Sequence, residues 1–360
     1  MKGRRLAWWG KLLLLWCLVV TAVFLVLEAV ARSVVPPPRR DLVAHLRKVM
    51  VVSGLPALGE TIEFDPYLFW VLKPGLRDVP VSGSGNRSAV NFRFSTNDLG
   101  LRSRPVRRKH GRVRILVLGD SCTFGLGVDD TQTWPAQLQA LLENESAGTG
   151  VDVINAGVFG YTSFQGLRFL VSRGLDLAPD VVIVAFWFNE TLPWSMTSDK
   201  HKAKQFVWMK WRYRLDRLLR RSRLYTDLIE MRGAQDRPEA SEEAALPFEK
   251  GYRRITSEDF EDNLKAIYRL CTSKDIPVLF LIWPLSTQTG PAARLSEYQA
   301  IVARVGEQLG VPVLNLVPHF AQSRGDLFLD NMHATPIGCR VAAEAVAEEI
   351  KRLIPESFKN

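Results

Sequence analysis

Five short apolar runs constrain this chain more than any other feature: Val113 to Leu118, Val151 to Ile154, Val181 to Phe186, Val278 to Ile282 and Val311 to Leu316. Each is almost continuously apolar, as a strand is when covered on both faces, and not alternating, as a half-exposed strand would be. Between them lie patterns of helical period, such as Trp134 to Leu142 and Phe260 to Ser273. Strands of this kind separated by helices predict an α/β fold with three layers, a central parallel sheet between two layers of helices. The last helix is expected from Ile337 to Leu353, closed by Pro355. With 360 residues, 47% of them apolar, the chain has ample material for such a core, which excludes disorder and disulfide-stapled miniatures. Its four cysteines, Cys17, Cys122, Cys271 and Cys339, stand far apart and form neither a CxxC nor a Cys/His ligand pattern.

The formal charge of +9 comes from two stretches. Residues 1–40 carry seven Lys/Arg against Glu28, residues 200–223 carry ten against Asp216, and the rest of the chain nets −6. The basic balance therefore describes those stretches and does not make the protein a nucleic-acid binder. In the first stretch, Leu12 to Leu27 is sixteen residues without a charge, and residues 12–31 together reach about twenty, long enough to cross hydrocarbon. Trp8, Trp9 and Trp16 suit an interface, while Lys2, Arg4, Arg5 and Lys11 favour a cytoplasmic N-terminus over residues 1–11. The expectation is a single transmembrane signal anchor, with everything after Pro36-Pro37-Pro38 on the extracytoplasmic side, periplasmic or cell-surface. A cleaved signal peptide ending at Ala29-Val30-Ala31 is the competing reading, although the run exceeds the usual apolar length of such peptides. Residues 32–110 read as a connector and a small β-rich segment, with turns at Pro74-Gly75, Ser82 to Gly85 and Asn97-Asp98 and no evident chemistry. The main domain spans residues 111–356.

Chemistry is expected where strands of an open α/β sheet end. After the first of them comes Gly119-Asp120-Ser121-Cys122-Thr123-Phe124-Gly125-Leu126-Gly127, which lacks the Gly-Lys-Ser/Thr of a phosphate loop and the spacing of a dinucleotide fingerprint. It does offer a serine whose hydroxyl can project into the crevice and whose N–H can face an oxyanion, beside the plainer possibility that Ser121 caps the next helix. Asn155 to Tyr161 follows the second strand, Phe188-Asn189-Glu190 the third, and Asp330-Asn331-Met332-His333 precedes the last helix. A serine hydroxyl needs a base, and of the five histidines only His333 has a carboxylate, Asp330, placed one short turn away. His333 has neither a second histidine nor clustered carboxylates beside it, so no metal site is expected, and no cofactor is required.

These blocks together resemble the SGNH, or GDSL, hydrolase family over about residues 111–353. The resemblance implies a flavodoxin-like domain in which Ser121 is the nucleophile, His333 its base and Asp330 the group that orients the base. It also implies an oxyanion hole made by the N–H of Ser121, the N–H of Gly157 and the side chain of Asn189. Thr335-Pro336-Ile337-Gly338 enters the last helix in the family manner. One block departs: the family often writes Gly-x-Asn-Asp where this chain has Trp187-Phe188-Asn189-Glu190. The implied activity is hydrolysis of an acyl or acetyl ester of an envelope lipid or polysaccharide. The alternatives are O-acyl transfer to a glycan by the same residues and a non-catalytic envelope-assembly protein that binds glycan or lipid.

An insertion at about residues 195–255 exceeds what a simple strand-helix-strand crossover needs. Within it, Lys200 to Arg223 interleaves Trp208, Trp211, Leu215 and Leu218 at helical spacing with Lys210, Arg212, Arg214, Arg217, Arg220 and Arg221. That pattern reads as a basic amphipathic helix, packed on the domain, facing anionic lipid head groups or meeting an acidic polymer substrate. The basic run from Arg102 to Arg114 is expected to extend the same surface.

Overall fold

The computed structural model describes residues 9, 11, 15–20, 22–23, 55–84, 89–145, 150–191, 198–205, 253–288 and 293–358. The chain divides into two units, residues 1–44 and 45–360. In the first, the described residues are helical, and Leu15, Trp16, Leu18, Val19, Val20 and Val23 are exposed. Among the described residues no helix is long and apolar enough to cross a membrane. The expected span at residues 12–31 lies largely outside them, and so does most of the basic helix, of which only residues 200–205 are described.

The described part of the second unit begins with a short helical segment, Pro56–Gly59, followed by two antiparallel strand pairs. Strands β1 (Ile62–Asp65) and β2 (Phe69–Leu72) pair antiparallel, as do β3 (Val79–Ser84) and β4 (Ala89–Phe94). The first turn is tied by Asp65, whose carboxylate accepts the Tyr67 and Leu68 N–H groups at 2.7 and 2.8 Å. Then comes the expected parallel sheet of β5 (Val113–Gly119), β6 (Val151–Asn155), β7 (Val181–Ala185), β8 (Val278–Ile282) and β9 (Val313–Asn315), in the order β6-β5-β7-β8-β9. Strands β5, β7 and β8 are buried along their whole length, which is why they carry no polar alternation. At the edge, β9 is half-buried and shorter than the apolar run that announced it.

Two helices, α1 (Trp134–Glu145) and α5 (Pro336–Leu353), pack together on one face, and α2 (Ser163–Phe169), α3 (Ser257–Thr272) and α4 (Glu297–Leu309) pack side by side on the other. Helix α3 shows how the pattern becomes a layer: Phe260, Leu264, Ile267 and Cys271 form its buried stripe. It starts ahead of the apolar pattern because Thr256 caps it, its hydroxyl accepting the Asp259 N–H at 3.1 Å. The sheet order reverses at β5, which places a crevice above the carboxyl ends of β5 and β7.

One surface expectation is corrected. The two ends of the basic run, Arg102 and Arg114, are buried and add nothing to a cationic surface, whereas Arg104, Arg107 and Arg108 between them are exposed. Arg102 lies beneath the turn after β5, donating to the carbonyls of Phe124 (3.1 Å), Gly125 (2.7 Å) and Val128 (2.7 Å) and pairing with Asp130 at 2.9 Å.

Candidate active site

Strand β5 delivers the chain to a single helical turn, Ser121–Phe124, before Gly125 takes a left-handed φ of 87°. Asp120 caps this turn, one carboxylate oxygen accepting the Cys122 N–H at 2.9 Å. Ser121 is thus the first residue of the turn, and among the described residues its N–H has no acceptor, as helix geometry dictates. Arg102 holds the far end of the same turn through the carbonyls of Phe124 and Gly125.

The loop ahead of α5 brings a base to that serine. His333 Nε2 lies 2.8 Å from Ser121 Oγ, and His333 Nδ1 lies 2.7 Å from Asp330 Oδ2. The other Asp330 oxygen accepts the Met332 and His333 N–H groups, both at 2.8 Å, so one carboxylate fixes the loop and the imidazole together. Burial works against its charge, but the hydrogen bond from His333, the imidazole's proximity and these two N–H groups outweigh it, and the Asp330 carboxyl is held down to about 2. The loop is anchored from outside by Trp283, whose indole N–H donates to the Met332 carbonyl at 2.8 Å. Such a chain lets the imidazole take the hydroxyl proton while the carboxylate holds its tautomer.

The opposite wall comes from the loops after β6 and β7. Asn189 Nδ2 donates to the Tyr161 carbonyl at 2.9 Å and lies 3.4 Å from Asp120 Oδ2, so the Asn189 amide stands beside the serine turn. Gly157 has a different job from the expected one. Its N–H donates to Asn155 Oδ1 at 2.9 Å, and a Cβ there would come within 2.4 Å of the Phe124 nitrogen. It is a glycine because it packs against the back of the serine turn, and its N–H is already bound. Asn155 completes that brace by donating to the Thr123 carbonyl at 2.9 Å. The second glycine of the loop, Gly160, has φ 75°, and its N–H has no acceptor among the described residues.

Buried charge surrounds this wall. Burial pushes the Asp120 carboxyl up to about 6 and that of Glu190 up to about 7. Glu190 explains the departure in its block, because its carboxylate reaches the N–H of Ser163 at 2.6 Å, at the start of α2. Its second oxygen is buried without a partner. Between pH 4.5, its ordinary value, and about 7, folded Glu190 retains a proton that the unfolded chain has released. Stability therefore falls as pH rises through that window. Glu190→Gln keeps an acceptor for Ser163 and cannot ionise, so at pH 8 it is expected to be more stable than the wild type by about 3 kcal/mol. At pH 4 the two should unfold alike. Thermal unfolding across this range checks it, and parallel curves for the two proteins would refute it; Asp120 acts in the same direction and remains in both.

Several of these groups were invisible in the sequence. Arg254 is buried against Asp199 at 2.8 Å and donates to the Gly160 carbonyl at 2.5 Å and to Gln165 at 2.8 Å. Nothing in its local sequence points to this, since its partners lie 55 to 94 residues away. Asp120 was in view as part of the Gly-Asp-Ser block, but its place between Cys122 and Asn189 emerges only from the fold. Among the described residues no group of His, Cys, Asp and Glu could hold a metal ion.

Residues 117–341 match the model of the GDSL-like lipase/acylhydrolase family. Over 78 residues the chain is 37% identical to the esterase TesA of Pseudomonas aeruginosa, a match that covers 22% of this chain and 38% of that one. The chain thus spans well under half the length of this relative. Among solved structures, a lipase/acylhydrolase from Enterococcus faecalis is similar at 20% identity, with 67% of this chain and 96% of that one covered and a TM-score of 0.42. An acetylxylan esterase from Geobacillus stearothermophilus is similar at 16% identity, over 68% of this chain and 96% of that one, with a TM-score of 0.43.

Proposed function

This chain belongs to the GDSL-like lipase/acylhydrolase family, and from that premise we propose that it is a serine esterase cleaving an acyl or acetyl ester of an envelope lipid or polysaccharide. The observation that carries the proposal is the unbroken chain from Ser121 Oγ through His333 to Asp330, at 2.8 and 2.7 Å. In this reading Ser121 Oγ attacks the ester carbonyl as its proton passes to His333 Nε2, and Asp330 stabilises the imidazolium. The oxyanion is received by the N–H of Ser121, the N–H of Gly160 and the Asn189 amide hydrogen that otherwise points toward Asp120 at 3.4 Å, the other hydrogen staying on the Tyr161 carbonyl. Gly160 takes the role first expected of Gly157, because the Gly157 N–H is bound to Asn155. Collapse of the intermediate returns the proton to the leaving alcohol. Water, deprotonated by the same imidazole, then releases the acid and restores Ser121.

Incubation with a fluorophosphonate followed by peptide mapping tests this directly. Labelling at Ser121 that is lost on heat denaturation is the expected result, because only an activated serine reacts. An unlabelled Ser121 in the folded protein would leave the binding-protein alternative.

The proposed setting is the extracytoplasmic side of a membrane, with residues 12–31 as the anchor. Support comes from the sixteen charge-free residues Leu12 to Leu27 within it and from the exposed apolar side chains of its described helical residues, which call for an apolar environment. Reporter fusions after Arg40 are expected to be active only when the reporter works outside the cytoplasm. Activity of a cytoplasm-only reporter at that point removes the anchored topology.

A further inference from the structure

We propose that Trp70, in the hairpin that precedes the family domain, is a positioning residue of the oxyanion hole: its indole N–H holds the Phe159–Gly160 peptide so that the Gly160 N–H faces the reacting carbonyl. The inference rests on the esterase reading above and extends it to a segment in which the sequence offered no chemistry.

The loop after β6 closes as a four-residue turn, the Tyr161 N–H donating to the Val158 carbonyl at 3.1 Å. Gly160, its third residue, has φ 75°, whereas Phe159 is not in the left-handed region. That combination is a type II turn, which differs from type I by rotation of its central peptide through roughly half a turn. Here the central peptide is Phe159–Gly160. Because a trans peptide is planar, its carbonyl and N–H point in opposite directions, and whatever holds the one aims the other. Trp70 Nε1 donates to the Phe159 carbonyl at 3.2 Å. With that carbonyl drawn toward the hairpin, the Gly160 N–H points the other way.

Trp70 is itself firmly placed. It is 2% exposed, its ring meets Tyr161 edge-on at 5.6 Å, and the Arg254 guanidinium lies 5.4 Å from its ring centre. A second rung runs in the reverse direction, from the Tyr161 hydroxyl to the Trp70 carbonyl at 2.6 Å. The two following carbonyls are also held, Gly160 by Arg254 at 2.5 Å and Tyr161 by Asn189 at 2.9 Å. Three successive carbonyls are thus fixed from outside the turn, and among the described residues the Gly160 N–H is left without an acceptor. Were the central peptide to rotate, the Phe159 carbonyl would stand where negative charge develops, exchanging a donor for a repelling oxygen. Strand β2 lies before residue 117, so this hold comes from outside the region that matches the family.

Trp70→Phe keeps a ring in the core and removes the indole N–H. Its kcat on a small acetyl ester should fall about tenfold to a hundredfold, short of the hundredfold to thousandfold for outright loss of an oxyanion donor. KM should be unchanged, and affinity for a phenylboronic acid, which mimics the tetrahedral intermediate, should fall by the same factor as kcat/KM. In a crystal structure of the variant the Phe159–Gly160 peptide should be rotated or present in two orientations. If Trp70→Phe does not fold, benzothienylalanine at position 70, with sulfur replacing the N–H at nearly equal volume, makes the same test. A folded variant with wild-type kcat, or with the peptide unmoved, overturns the proposal. Should the wild type hydrolyse no ester, the esterase reading fails and the peptide orientation in the variant crystal decides this proposal alone.

Discussion

Ser121→Ala is expected to lower turnover of a small acetyl ester about a millionfold, to near the uncatalysed rate, and His333→Ala to do nearly the same. The two groups form one device. The hydroxyl at 2.8 Å from Nε2 is a useful nucleophile only while the imidazole can take its proton, so losing either member forfeits what both supply. The double variant should therefore be no slower than either single one, which separates a joined mechanism from two independent contributions. Asn189→Ala marks the contrast: it removes a donor and leaves the nucleophile and base intact, for a loss of about a hundredfold to a thousandfold. Steady-state rates per folded protein, with folding checked by circular dichroism, test the ordering. Wild-type turnover in Ser121→Ala would end the esterase reading.

How much of this could be read from the sequence depends on whether the relevant geometry is local. Strands β5, β7 and β8 announced themselves because burial on both faces makes a strand continuously apolar. Asp330 and His333 were legible because three residues of spacing nearly determine that their side chains meet. Gly157 and Gly160 show where legibility stops. Both are glycines in one loop, and what separates their roles is a hydrogen bond from the Gly157 N–H to Asn155 and a positive φ at Gly160. Neither feature is a property of residue type or spacing. Trp70 lies 89 residues from the carbonyl it holds and Arg254 lies 94 from the one it holds. In the sequence a tryptophan in a β-rich run is simply core, and only the fold reveals that its indole N–H reaches the loop after β6.

Asp330→Asn should cost about ten thousandfold in kcat, by a route different from the loss of Ser121. The carboxylate does two things at once: Oδ2 accepts from His333 Nδ1 at 2.7 Å, and Oδ1 accepts two backbone N–H groups at 2.8 Å. An asparagine can satisfy only part of this set. If its carbonyl oxygen stays with the two N–H groups, its NH2 faces Nδ1, which must then be the unprotonated nitrogen. The proton moves to Nε2, which becomes a donor toward Ser121 Oγ and can no longer accept from it. Stability should change as well. The carboxyl held down to about 2 contributes stability above its ordinary value of 3.8, and that contribution is lost as pH falls through about 2. At neutral pH the substitution should therefore cost about 2 kcal/mol, and the gap between the two proteins should narrow below pH 3. The same low value keeps Asp330 ionised wherever the enzyme is assayed, so a rate decline on mild acidification in the wild type is not its protonation. Rates, urea unfolding at pH 7 and pH 2.5, and a crystal structure of the variant test these points together. A rate within tenfold of wild type, with Ser121 and His333 unmoved, would take the orienting role from Asp330.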